Sequence, residues 1–210
     1  DYDKPAWVGI FNKDGQIVDT IFMKFNNKID TLEQTDPCFV AIPDLCVRVT
    51  QYKEIITLPA PLEGDGGFYI VYQRCCRNGT IQNIVEPIQT GATYFSFIPE
   101  NTLQLCNTAP VFINDPPIFI CANEPLNFDH SAFDADGDSL SYELIQPYEG
   151  GIYVINPQPR PPYPPPYTNV TWSPGYDLSN VMGGTKLPLT LDPVTGFMTA
   201  IPEIIGQFVV

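Results

Sequence analysis

Proline limits this chain more than any other residue. Its 23 prolines are scattered so densely that few windows could hold three helical turns, because each one removes an N–H and clashes with the preceding turn. Between them lie short runs rich in Val, Ile, Phe, Tyr and Thr, bounded by turn residues, and such runs read as strands. The first half shows them at 8–11, 17–25, 46–52, 55–58, 67–74, 81–85 and 93–98. Asn12-Lys-Asp14-Gly15 supplies a hairpin turn between the first two, and Arg77-Asn78-Gly79-Thr80 another further on. The second half shows them at 118–120, 126–128, 140–144, 187–191 and 197–201, with a final run at 207–210. Asp192-Pro-Val-Thr-Gly196 suits a turn: proline presets φ, Asp bonds the backbone ahead, and Gly takes the left-handed position.

The expected fold is therefore all-β, with two tandem Ig-like antiparallel β-sandwich domains at residues 1–106 and 107–210, the second with an incomplete last strand. Asn107-Thr-Ala-Pro110-Val-Phe112 reads as the hinge between them. The chain opens directly into strand-like sequence and stops inside a run of the same kind, so it is read as a segment of a longer polypeptide. No stretch matches a signal peptide or approaches the roughly 20 apolar residues of a membrane helix.

Charge narrows the function classes. With 10 basic and 24 acidic residues the formal charge is −14, and no basic cluster offsets it. Such a surface repels phosphate backbones and anionic lipid, which argues against nucleic acid and membrane partners. It suits divalent cations. Asp134-Ala-Asp136-Gly-Asp138 places three carboxylates at alternate positions around a glycine, an arrangement able to aim hard oxygen ligands at Ca2+. Asp134, Asp136 and Asp138 are the candidate metal ligands, with Asn107 contributing from the hinge. An EF-hand is excluded, since its twelfth loop position would be Ile145 rather than Glu. Glu143 offers a further carboxylate. The alternative is a solvated acidic turn whose Asp and Gly satisfy turn geometry.

Cys38, Cys46, Cys75, Cys76, Cys106 and Cys121 include no CxxC pair and accompany a single histidine, which disfavours zinc. An even count in an acidic, proline-rich chain suggests disulfides and an oxidising compartment, with buried free thiols as the alternative. Cys106 and Cys121 bracket the hinge and make the first candidate pair. Cys75 and Cys76, adjacent on an expected strand, should point to opposite faces, one into the core and the other towards Cys38 or Cys46.

No catalytic constellation stands out. His130 lies between Asp129 and Ser131, but neighbours in sequence do not converge as a triad must, and no Gly-x-Ser-x-Gly elbow is present. Trp7, Trp172, Tyr148, Tyr153, Tyr163, Tyr167 and Tyr176 could stack on sugars, although core packing is their commoner use. Residues 156–167 hold so many prolines that an extended segment is expected. It is either a ligand for an aromatic groove or, as we read it, a rigid strap across a sandwich anchored by Tyr163 and Tyr167. Asn78-Gly-Thr80 and Asn169-Val-Thr171 match the N-glycosylation pattern.

Residues 125–142, the Pro-Pro-Pro-Tyr segment at 164–167, and 191–210 together resemble the cadherin-like and PKD-like repeats of very large secreted surface proteins of gliding Bacteroidota. The block Tyr72-Gln-Arg-Cys-Cys-Arg-Asn-Gly-Thr-Ile-Gln-Asn-Ile84 is similar to the segment preceding such repeats. The likeness covers most of 35–210. It implies a cadherin-like second domain in a type IX-secreted adhesin of the gliding-motility-associated kind, located extracellularly at the cell surface, with Asp134, Asp136 and Asp138 carrying calcium. Ile145 stands where such repeats often have cysteine, so Cys121 needs another partner, which again favours Cys106. Asp19-Thr-Ile21, Asp30-Thr-Leu32 and Asp138-Ser-Leu140 resemble the O-glycan acceptors of such proteins.

These readings lead to a non-enzymatic structural module of a long adhesin or filament, stiffened by calcium and disulfides. Its expected partners are neighbouring domains or copies, joined by strand addition at the last strand, and surface glycans. The alternatives are a carbohydrate-binding module and an accessory domain of a secreted hydrolase.

Overall fold

The computed structural model describes residues 2–26, 28–32, 47–58, 66–100 and 107–210. Every element bounded within them is a strand: β1 (Ala6–Asn12), β2 (Ile17–Met23), β3 (Asp30–Leu32), β4 (Val47–Val49), β5 (Phe68–Arg74), β6 (Ala92–Ile98), β7 (Val111–Phe112), β8 (Leu126–Asp129), β9 (Ala132–Phe133), β10 (Thr190–Leu191) and β11 (Phe197–Ala200). They form antiparallel sheets of order β2-β1-β5-β6 and β10-β11-β8, with the two-stranded pairs β3-β4 and β7-β9. The described sheets are thus built of strands alone, and every ladder between them is antiparallel.

The four-stranded sheet grows from a local hairpin. Asn12 Oδ1 accepts the N–H groups of Asp14 (3.1 Å) and Gln16 (2.9 Å), and Gly15 takes φ +76°, so the turn between β1 and β2 is closed by its own residues. β1 is central and its side chains alternate. Ala6, Val8 and Ile10 are buried on one face, while Gly9 and Phe11, opposite Val71 and Tyr69, lie on the other.

The proline-rich segment covers that second face. Pro159 and Pro162 are fully buried, and a side chain at Gly9 would strike the Phe11 ring and Pro162. Arg160 lies over the Trp7 ring at 5.7 Å, and Tyr148, Tyr167 and Phe95 form an aromatic cluster. A strap crossing a sheet face cannot join its ladder, so its backbone donors would be stranded, and proline has none to strand. Burying each ring's three methylenes contributes roughly 2 kcal/mol. The remaining polar groups are matched. The Tyr163 N–H donates to Gln73 Oε1 (2.7 Å), and Gln73 Nε2 donates to Thr93 Oγ1 (2.9 Å), which leaves this 2 %-exposed glutamine satisfied on both sides. The strap reading holds, but the sheet it crosses belongs to the first half of the chain.

In the second half, Leu126, Met198 and Ala200 turn inward onto Val181, Met182 and Leu189, with Trp172 and Phe208 around them. Into this core comes Asn83 from the first half. It is wholly buried, its amide donating to Val181 O (2.8 Å) and Val209 O (2.7 Å) and its Oδ1 accepting from Val209 N (3.0 Å). Packing and hydrogen bonds therefore cross between the halves at the strap and at Asn83.

Several expected strands are shorter or absent. Residues 55–58 and 118–120 pair with nothing regular, and 81–85 makes single bridges only, parallel from Ile81 to Gln207 and antiparallel from Ile84 to Trp172. The run at 140–144 forms no ladder, because the Tyr142 N–H donates to Pro193 O (3.0 Å) and proline has no N–H to return. The final run at 207–210 is not a strand. Its Gln207 carbonyl accepts from Gln82 N (2.9 Å) and Val209 pairs with the Asn83 side chain.

Candidate functional site

The acidic turn follows β9. Asp134 is only 7 % exposed, and its Oδ1 accepts the N–H groups of Asp136 (2.9 Å) and Asp138 (3.2 Å). The chain reverses at Gly137, whose φ of +82° requires glycine although the space around it is open. Asp136 Oδ2 accepts the N–H of Thr108 at 2.6 Å, which fastens the segment before β7 to the turn. Asn107 is exposed, its amide directed at Thr108 O (3.2 Å) rather than at the carboxylates, and Asp138 is exposed as well.

The hinge segment does meet the acidic turn, then, but through a backbone N–H. Sequence reasoning missed Thr108, since a main-chain donor has no residue signature. Among the described residues no three His, Cys, Asp or Glu side chains form a group able to hold a metal ion. Asp134 Oδ1 and Asp136 Oδ2 accept main-chain N–H groups, which is the geometry of an aspartate-closed corner.

Of the cysteines, Cys75 and Cys76 are joined to each other. The expectation that they point to opposite faces of a strand fails because β5 ends at Arg74, where the Cys75 N–H leaves the ladder and donates to Pro157 O (2.7 Å). Cys75 is buried and Cys76 exposed. Cys121 is disulfide-bonded. Cys38, Cys46 and Cys106 lie outside the described residues, and so does any pairing of Cys106 with Cys121.

The remaining candidates are structural. The His130 ring stacks on Phe112 at 4.1 Å, and its Nδ1 is buried without a hydrogen-bond partner among the described residues. The Ser131 N–H donates to Asp129 Oδ1 (3.0 Å), so Ser131, His130 and Asp129 share no proton-relay geometry. Trp172 serves the second core, Tyr176 packs at a tilt against Phe208, and Tyr167, the last residue of the strap, packs against Phe95, where burial pushes its phenol pKa up. Tyr153 and Tyr163 remain exposed. A buried network at the start of the chain carried no sequence signal. Asp3 accepts the Tyr72 hydroxyl (2.5 Å) and pairs with Arg74, and burial together with the Asp3 carboxylate holds the Tyr72 phenol pKa high.

Compared with known families, curated proteins and solved structures, the chain matches none. Among the described residues no helix is long and apolar enough to cross a membrane.

Proposed function

We propose that the chain is a structural, non-catalytic module of a long extracellular surface adhesin or filament. In this reading two Ig-like units, 1–106 and a cadherin-like 107–210, are clamped into one stiff spacer. The observation that carries the reading is the double clamp: the strap from the second half buried on the first sheet, and Asn83 from the first half buried in the second core. Small β-units joined by a flexible linker would fold over one another, whereas two seams far apart in the chain resist bending. The Cys75–Cys76 bond and the bonded Cys121 fit an oxidising compartment. Strand addition to a neighbouring copy belongs to the proposal through the exposed edges of short sheets, although residues 207–209 already find partners within the chain.

Two measurements test it. Pulled from both ends by single-molecule force, the chain should unfold in one event, and two well-separated events would refute the clamp. An antibody to the chain should label intact source cells, with the label removed by external protease. Labelling that requires permeabilised cells would refute the location.

A further inference from the structure

The outer face of the β10-β11-β8 sheet carries a cleft of about 810 Å³ that neither the corner nor the strap uses. The period of the strands builds it. Asp129 on β8 sits opposite Phe197 on β11, and Thr199 on β11 sits opposite Thr190 on β10, all on the face turned away from the core. The two threonine hydroxyls stand 2.8 Å apart, and Phe197 is 41 % exposed. The turn after β10 adds Asp192 and Thr195, and Ser131 closes the far end.

The chemistry of this lining selects its occupant. The hydroxyl and N–H of Ser131 hold the Asp129 pKa below the usual carboxylate range, and the N–H groups of Thr195 and Val194 do the same for Asp192. Both side chains are therefore anionic at neutral pH. No Lys, Arg or His lines the cleft, so anionic ligands are repelled. A purely apolar segment would strip water from hydroxyls and carboxylates without replacing their hydrogen bonds. A neutral polyol satisfies each part: its hydroxyls donate to carboxylates and exchange bonds with Thr and Ser, while the C–H face of a sugar ring covers an aromatic one.

We propose that this cleft binds a neutral oligosaccharide, with Phe197 as the stacking platform and Thr190, Thr199 and Asp129 as hydroxyl partners. The site goes beyond the spacer reading and does not depend on it. It also differs from the sequence candidates, because Tyr167 and Trp172 are spent on packing.

The test is an amide-resolved NMR titration of the whole chain with maltohexaose, cellohexaose, laminarihexaose and chitohexaose in turn, with hexagalacturonate as the anionic comparator. At least one neutral glycan should give saturable shifts centred on Ser131, Thr190 and Thr199. Phe197→Ala and Thr199→Val should each weaken that binding about tenfold. Both positions lie on the outer face, so an amide spectrum changed only around residues 197 and 199 certifies the fold. The proposal is overturned by any of four results: no saturable shift with the neutral glycans, shifts centred on Tyr153 or Tyr163, affinity indifferent to both substitutions, or tighter binding of hexagalacturonate.

Discussion

Replacing Asn83 with alanine tests the seam between the two halves most directly. The side chain makes three hydrogen bonds, to Val181 O, Val209 O and Val209 N, and is completely excluded from solvent. At about 1 kcal/mol net for each bond, their loss costs about 3 kcal/mol. Stranding the Val181 carbonyl, whose bond to Asn83 is buried, raises the figure towards about 5 kcal/mol. For a chain of this size about 3 kcal/mol corresponds to a fall in Tm of about 6–12 °C. Calorimetry and urea unfolding measure it, the latter expected to shift its midpoint with unchanged slope. Asn83→Asp is the sharper arm. It keeps an acceptor for the Val209 N–H but turns an oxygen towards two carbonyls, so it should destabilise at least as much as alanine. If both variants fell within about 1 kcal/mol of the parent, Asn83 would not be holding the halves together and the clamp argument would fail.

Three further outcomes follow from the geometry. Raising Ca2+ from EDTA to millimolar should move Tm by less than about 1 °C, since main-chain donors already close the corner through Asp134 Oδ1 and Asp136 Oδ2; a concentration-dependent rise of several degrees would place a cation at the corner. Asp177, Asp192 and Glu203 all have pKa values lowered by accepting nearby hydroxyl and N–H donors. Their stabilisation is complete above the unfolded carboxylate range, near pH 4, and is lost as pH falls through the lower folded values. Asp192→Asn keeps the acceptor for Val194 and Thr195 without the titration, so its acid unfolding curve should be shallower; an unchanged slope would refute this. Gly91→Ala should abolish soluble folded protein, because its Cβ would collide with the Gly150 carbonyl where the segment leading to the strap meets β6. A normal circular dichroism melt of that variant would show that this close approach does not exist.

What could be read in the residues was local. The Asn12–Gly15 hairpin closes on its own side chains, and the turn at 192–196 forms as composition demands, with Asp192 Oδ1 accepting from Val194 (2.9 Å) and Thr195 (2.8 Å) and Gly196 at φ +74°. The strands β1, β2, β5, β6, β8 and β11 were equally visible, because runs of β-branched and aromatic residues bounded by turn residues are a local signal. The acidic turn was half visible. Asp and Gly in that order serve a cation and an aspartate-closed corner alike, and the Thr108 N–H that closes onto Asp136 is placed by the tertiary structure. For Cys75 and Cys76 the strand period misled, since the ladder stops where Pro157 offers a carbonyl from far along the chain.

Local pattern alone settled that this chain is made of short antiparallel strands joined by tight turns, because proline density and alternation act over a few residues. Tertiary structure alone decided that the strap lies on the first sheet and that Asn83 belongs to the second core. Burying a proline ring or an amide depends on a surface built by residues distant in the chain. Neither residue type announces in advance which surface that will be.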